Sequence, residues 1–214
     1  MGDGPAYRRL DTDVRRAQLV ALGEKLFTSA AYSELSMARI AKEAGISKAL
    51  LYHYFPSKQA FFEATLQAAA EDLVARTQPD GSLPPAQQLE ASLDAYLAWI
   101  GEHSEAYAKL MITAGEVPEI RAMVEDVRHG TADRILSGVV GDAPVPPGAR
   151  TAVRGWLWFM DGACLDWIAH GDLSRDELRG LLIGTLVGAL MASGSAELVQ
   201  ALVAAAAPSS NAED

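Results

Sequence analysis

The sequence holds one cysteine, Cys164, so no intramolecular disulfide can form. Its four histidines, His53, His103, His129 and His170, are far apart and show no His-x-x-x-His or carboxylate–His spacing, so neither a metal site nor a cofactor is expected. No stretch sustains a period of two with β-branched enrichment, so no strand is predicted. Without a strand there is no Gly-rich phosphate loop of the dinucleotide-binding kind. Cys164 lies in an apolar run with no activating base near it in sequence, which fits a buried thiol better than a nucleophile. An enzyme is therefore not the expectation. The longest uncharged run, Gly180–Ala196, has 17 residues and includes Thr, Ser and several Gly, short of a membrane span. The N-terminus carries Asp3, Arg8, Arg9 and Asp11 without an apolar stretch. No signal peptide is read there, and a soluble, cytoplasmic protein without membrane contact is expected.

Half of the 214 residues are hydrophobic and 21% are charged, enough for a real core and against global disorder. The formal net charge of −10 opposes nucleic acid at first sight, because like charge repels phosphate. Its distribution reverses that reading. Residues 1–58 hold nine Lys/Arg against six Asp/Glu, while residues 59–214 hold nine against twenty-two. A basic head on an acidic body suits a protein that touches nucleic acid with one end.

Loop signals fall at Pro79–Pro85 and at Gly141–Gly148. Between them apolar residues recur at helical spacing, as in Leu19, Leu22, Gly23, Leu26 and Phe27. The chain reads as all-α, with nine or ten helices. Residues 1–12 read as a flexible lead-in, 13–60 as a DNA-binding domain, 61–207 as a second helical domain and 208–214 as a flexible tail.

The informative stretch is 36–55. Ser36 is placed to cap a short helix with Ile40, Ala41 and Ala44 on its apolar face. Gly45 follows, where a left-handed stop costs least. Ser47 caps a second helix whose Leu51 and Phe55 face the core, with Tyr54 also read as core. Pro56-Ser57-Lys58 stops that helix and starts a third running to about Arg76. Two short helices meeting at a glycine turn form a helix-turn-helix. Lys48, in the first turn of the second helix, stands near base edges and phosphate alike. Tyr52 and His53, one turn on, are placed to donate to phosphate oxygens. The helix starts at Ser36, Ser47 and Ser57 offer backbone N–H groups to an anion.

The stretch Gln18–Leu66, about a quarter of the chain, resembles the N-terminal domain of TetR-family regulators. The resemblance is carried by Leu26-Phe27, Ser36-Met37, Ile40-Ala41, Ala44-Gly45-Ile46-Ser47, Leu51-Tyr52-His53-Tyr54-Phe55 and Ser57-Lys58, in order and spacing. It implies a three-helix DNA-binding domain followed by a larger helical domain for ligand sensing and dimerisation. It also implies a DNA-contacting set of Ser36, Arg39, Ser47, Lys48, Tyr52, His53 and Lys58. Two positions depart from the family. Ala31 stands where a Gly usually precedes the aromatic, here Tyr32. Ala49-Leu50 stands where Gly-Thr is common, so any base contact at Ala49 or Leu50 would be apolar, for example to a thymine methyl.

The body carries no comparable motif. Gly180, Gly184, Gly188 and Ala192 share one face of a helix read over Arg175–Ser193. Each such Gly costs a helix interior about 1 kcal/mol against Ala, so a close approach of another helix is the simplest reason. That helix belongs either to a second subunit or to the same one. With a segment from about Ala149 to His170 it is the dimer candidate, since the family pairs through its last two long helices. The run Trp156–Leu165 is apolar all round and is expected to be buried on most sides. Its one charge, Asp161, has Arg154 seven residues earlier. A structural ion pair or a dimer contact is the first reading of Asp161, and a ligand anchor the second. Tyr96, Trp99, Tyr107, Met111, Met123, Trp158 and Phe159 are candidates to line a cavity for a largely apolar small molecule, or else they are core.

Three functions remain open. The first is a repressor, a homodimer on a palindromic double-stranded operator, released by a small-molecule effector. The second is a DNA-binding regulator controlled by a protein partner or by abundance. The third is a helical enzyme with an incidental N-terminal match.

Overall fold

The computed structural model describes residues 5–30, 32–141 and 143–204. Ala31 and the tail 208–214 lie outside the described residues. Within them the chain forms ten α-helices and no strand. They are α1 (Pro5–Ser29), α2 (Met37–Glu43), α3 (Lys48–Tyr54), α4 (Lys58–Arg76), α5 (Pro85–Glu102), α6 (Ser104–Glu116), α7 (Pro118–Val140), α8 (Pro147–His170), α9 (Arg175–Ala192) and α10 (Ala196–Ala204). A single 3-10 turn, Tyr32–Glu34, joins α1 to α2. The all-α reading holds. α1 begins at Pro5, inside the segment read as a lead-in, because a proline in the first helical turn forfeits no hydrogen bond.

The chain divides into two compact units. One runs up to Asp72 and includes Glu105–Ile120; the other comprises Leu73–Ser104 and the chain from Arg121 on. The charge reversal near Lys58 places the boundary at 60/61, whereas packing carries the first unit further. Phe61, Phe62 and Thr65 of α4 are all buried.

The first unit is built round Leu19 and Leu26 of α1, Ile40 and Ala41 of α2, Leu51 of α3, Phe55 and Phe61. Gly23 belongs to the same face of α1, and its lack of a side chain is required. A Cβ there would stand 2.3 Å from Thr65 Oγ1 and 2.9 Å from Phe61 Cζ. Thr65 Oγ1 is held in place by donating to the Phe61 carbonyl at 3.0 Å.

The second unit rests on α8 against α9. The helices are joined by four residues that end one and start the other. Gly171, at φ 63°, closes α8 with its N–H on the Trp167 carbonyl. Ser174 and Glu177 then form a reciprocal capping box at the start of α9. Leu178, Leu182, Leu186 and Leu190 form the buried side of α9. Val153, Trp156, Leu157, Met160 and Cys164 are buried on α8. The Trp156 indole N–H donates to the Leu182 carbonyl at 2.8 Å, so this large ring enters the core without an unpaired donor.

Gly23→Val is expected to lower stability by about 1–3 kcal/mol, the usual cost of overpacking. Gly130 of α7 meets open space, so Gly130→Ala should raise stability by up to about 1 kcal/mol. Thermal unfolding followed by circular dichroism reads both, and a Gly23→Val protein as stable as the parent would contradict the close approach.

Candidate nucleic-acid interface

The turn between α2 and α3 is closed by its own backbone. Gly45 adopts φ 65°. Its N–H donates to the Lys42 carbonyl at 3.1 Å, and the Ile46 N–H donates to Ala41 at 3.0 Å. These two bonds are the Schellman pattern, which satisfies carbonyls that a helix end leaves open. Ser36 Oγ accepts from the Arg39 N–H at 3.2 Å, Ser47 Oγ from Leu50 at 3.1 Å and Ser57 Oγ from Ala60 at 3.0 Å. All three serines act as caps, so part of the donor capacity expected for an anion is already spent on these hydroxyls.

α3 is oriented by Leu51 and Phe55, 0% and 2% exposed. Phe55 meets Phe61 edge-on at 5.0 Å between centroids, and the Arg16 guanidinium lies 5.3 Å from its ring centre. Tyr54 packs half-buried against the same core. With those residues inward, Lys48, Ala49, Leu50, Tyr52 and His53 are exposed, as are Ser36, Arg39 and Ser47. The Lys48 ammonium lies 5.7 Å from the centre of the Tyr52 ring, so the two form one polar flank.

Lys58 differs from the rest of the expected set. It is half-buried, donates to the Tyr32 carbonyl at 2.9 Å and sits 4.0 Å from the centre of the Tyr32 ring. Tyr32 in turn packs on Phe62 at 4.9 Å, and Phe62 on Phe27 at 4.3 Å. Lys58 thus ties the turn after α1 to the start of α4. Sequence spacing gave no sign of this, because the partner lies 26 residues away.

In the second unit Gly180, Gly184, Gly188 and Ala192 are all exposed. A Cβ built on any of the three glycines meets nothing within 4 Å. Among the described residues, then, nothing packs within van der Waals contact of the glycines of this stripe. Trp158 and Phe159 are 58% and 41% exposed, as are Leu181 at 45% and Met191 at 53%. The expectation that Trp156–Leu165 is buried on most sides is corrected here. Trp156, Leu157, Met160 and Cys164 fill the inward side, and the helical turn then carries Trp158 and Phe159 outward.

Residues 19–65 match the bacterial regulatory proteins of the tetR family, and residues 85–189 match the tetracyclin repressor-like C-terminal domain. The HTH-type transcriptional regulator BetI of Stenotrophomonas maltophilia is 32% identical over 181 residues, 80% of this chain and 90% of that protein. The chain belongs to the TetR family. A solved TetR-family regulator from Streptomyces coelicolor superposes with a TM-score of 0.78 at 30% identity, covering 90% of this chain and 89% of that one. The HTH-type transcriptional activator FasR of Mycolicibacterium smegmatis is 30% identical over 143 residues, and the match spans 63% of each protein. The chain is thus a DNA-binding transcriptional regulator with a helix-turn-helix head.

The residues expected to line a cavity in this TetR-family protein fall in both units, Tyr107 and Met111 in the first and the others in the second. Trp99 and Tyr107 are buried, and Tyr96, Met111 and Met123 half-buried. Trp99 stacks on His103 at 4.5 Å. Asp161 is buried and ion-paired, but not with Arg154, which is exposed. Two helical turns separate Arg154 from Asp161, about 10 Å along the axis. Instead Arg128 of α7 holds Asp161 Oδ2 at 2.6 Å and Glu125 Oε1 at 2.7 Å, with its guanidinium 4.0 Å from the centre of the Trp158 ring. An open groove of about 370 Å³, unforeseen from the sequence, is lined by Leu97, Ala98, Gly101, Trp167, Ser174, Arg175 and Asp176. Among the described residues no helix is long and apolar enough to cross a membrane, and no three His, Cys, Asp or Glu side chains gather to hold a metal ion.

Cys164 is 0% exposed. Burial, reinforced by the Asp161 charge, pushes its thiol up to about 12 despite a hydrogen bond with Tyr96. The native protein should therefore leave a disulfide reagent unconsumed at pH 8 and consume one equivalent once unfolded in urea; rapid reaction of the native protein would contradict this burial.

Proposed function

We propose that this regulator is a homodimeric repressor that grips a palindromic operator with two α3 helices and leaves it when a small molecule binds the second unit. The observation that carries the reading is the orientation of α3. Leu51 and Phe55 turn its apolar side inward, and Lys48, Tyr52 and His53 are left facing water. The contacting set is Ser36, Arg39, Ser47, Lys48, Ala49, Leu50, Tyr52 and His53, with Lys58 acting mainly by holding Tyr32. Phosphate contacts supply most of the affinity, and it falls with salt.

The dimer forms through α8 and α9. Gly180, Gly184, Gly188 and Ala192 leave room for a partner helix, and Trp158, Phe159, Leu181 and Met191 supply apolar area that the single chain leaves exposed. Exposed apolar area, where it is contiguous, is the usual mark of an interaction surface. Pairing there spaces two recognition helices by about one DNA turn, roughly 34 Å. The match of 85–189 to a tetracyclin repressor-like C-terminal domain supports a small-molecule effector acting on the body. The effector favours a dimer whose heads no longer fit the operator spacing. Activation is the second reading, because the relative FasR is named an activator.

Fluorescence anisotropy with genomic fragments selected by the purified protein tests the DNA arm. Specific binding should weaken linearly in log–log form as salt rises. Lys48→Ala should weaken it for all sequences and reduce the salt slope by about one, and Tyr52→Phe should weaken it with an unchanged melting temperature. The reading fails if no fragment binds specifically at any salt.

Gly184→Leu should shift the dimer toward monomer in light scattering at low concentration, and a mass equal to that of the parent would remove α9 from the interface.

A further inference from the structure

The outward surface of α3 is polar on one flank and apolar on the other. A helix turns by about 100° per residue. With Leu51 inward, Ala49 and His53 point away from the core, Lys48 and Tyr52 lie on one flank, and Leu50 lies on the opposite one. Leu50 is 38% exposed, and Ala49 is exposed beside it. Leu50 is not part of the buried core of the first unit, which Leu51, Phe55 and Phe61 fill without it. Its backbone N–H is taken by Ser47 Oγ. What this position presents to a partner is therefore carbon alone.

Leu50 stands in the first turn of the recognition helix, the part of a helix-turn-helix that approaches base edges. In the major groove every base edge shows hydrogen-bonding groups, and the one apolar group among them is the C5-methyl of thymine. An apolar side chain set there gains by covering that methyl, and loses by covering a donor or acceptor that it leaves unpaired. The neighbouring Lys48 and Tyr52 provide the polar flank that phosphate requires.

We infer that Leu50, with the Ala49 methyl beside it, is a specificity-determining residue that reads thymine methyl groups in each operator half-site. This rests on the reading above that α3 enters the major groove. The operator contains a thymine at the base pair facing Leu50. Replacing it with cytosine removes that methyl and exchanges the adjacent O4 acceptor for an N4 amino donor.

The test begins with sequences selected from a random duplex library by the full-length protein. Each thymine of the selected half-site is then replaced in turn by deoxyuridine, which deletes the methyl and keeps every hydrogen-bonding group. One or two positions per half-site should lose affinity by roughly fourfold for each methyl uncovered. Leu50→Ala should bind the thymine operator more weakly and no longer distinguish thymine from deoxyuridine at those positions. Its fold should be retained with only a small fall in melting temperature, since Leu50 is 38% exposed and lies outside the buried core. The inference is overturned if specific, salt-sensitive binding persists but no thymine responds, or if Leu50→Ala discriminates as well as the parent. Failure to select any sequence overturns the operator reading as well, which separates the two outcomes.

Discussion

The burial of Leu51 and Phe55 is the constraint from which the rest of the head follows. α3 is seven residues long, too short to persist alone in water, where isolated helices below about 12 residues are marginal. It exists because one side is sealed into a core shared with α1, α2 and α4. That seal sets the rotation of the helix about its axis, and the rotation decides which side chains meet solvent. Gly45 contributes by letting the chain turn between two short helices, and the serine caps contribute by starting α2, α3 and α4 where the first N–H groups would otherwise lack partners. Aromatic packing then extends the same rigid body to Tyr32 through Phe27, Phe62 and Lys58.

The second unit is organised by a different device, a helix with two incompatible sides. On α9 the leucines at 178, 182, 186 and 190 face inward, and the glycines at 180, 184 and 188 fall two residues out of phase. Two residues are about 200° of helical turn, so the leucine and glycine stripes lie nearly back to back. α8 repeats the arrangement with Trp156 and Leu157 inward and Trp158 and Phe159 outward. Arg128 stands between the two sides: it neutralises buried Asp161 and lies against the outward ring of Trp158. A buried carboxylate without such a partner would carry a large desolvation cost, so the ion pair is a requirement of α7 meeting α8 before it is anything else.

Local chemistry was legible in the sequence, and distant partnership was not. Ser36, Ser47 and Ser57 could be read as caps and Gly45 as a left-handed stop because each acts on backbone within three or four residues. Leu51 and Phe55 could be read as core from their spacing alone. Lys58 reads only as a phosphate contact from the sequence, because its contact with Tyr32 spans 26 residues. Asp161 was matched to Arg154 on its own helix, while its partner came from α7, 33 residues away. Trp158 and Phe159 were expected inside because hydropathy records which residues avoid water. It does not record whether their own chain or another molecule covers them. The same blindness hid Gly23, whose contact with Thr65 and Phe61 depends on how closely α4 returns to α1.

The bare glycine stripe also bears on the entropy of association. A surface side chain loses rotamer freedom when an interface covers it, at roughly 0.5–1.5 kcal/mol for each flexible one. Glycine has no rotamers to lose, and its helical backbone is already ordered by folding. The cost of ordering α9 was met when the single chain folded, before any partner arrived. A face of this kind is preorganised: any association through it would restrict only the side chains beside the stripe, Leu181 and Met191 on α9 and Trp158 and Phe159 on α8.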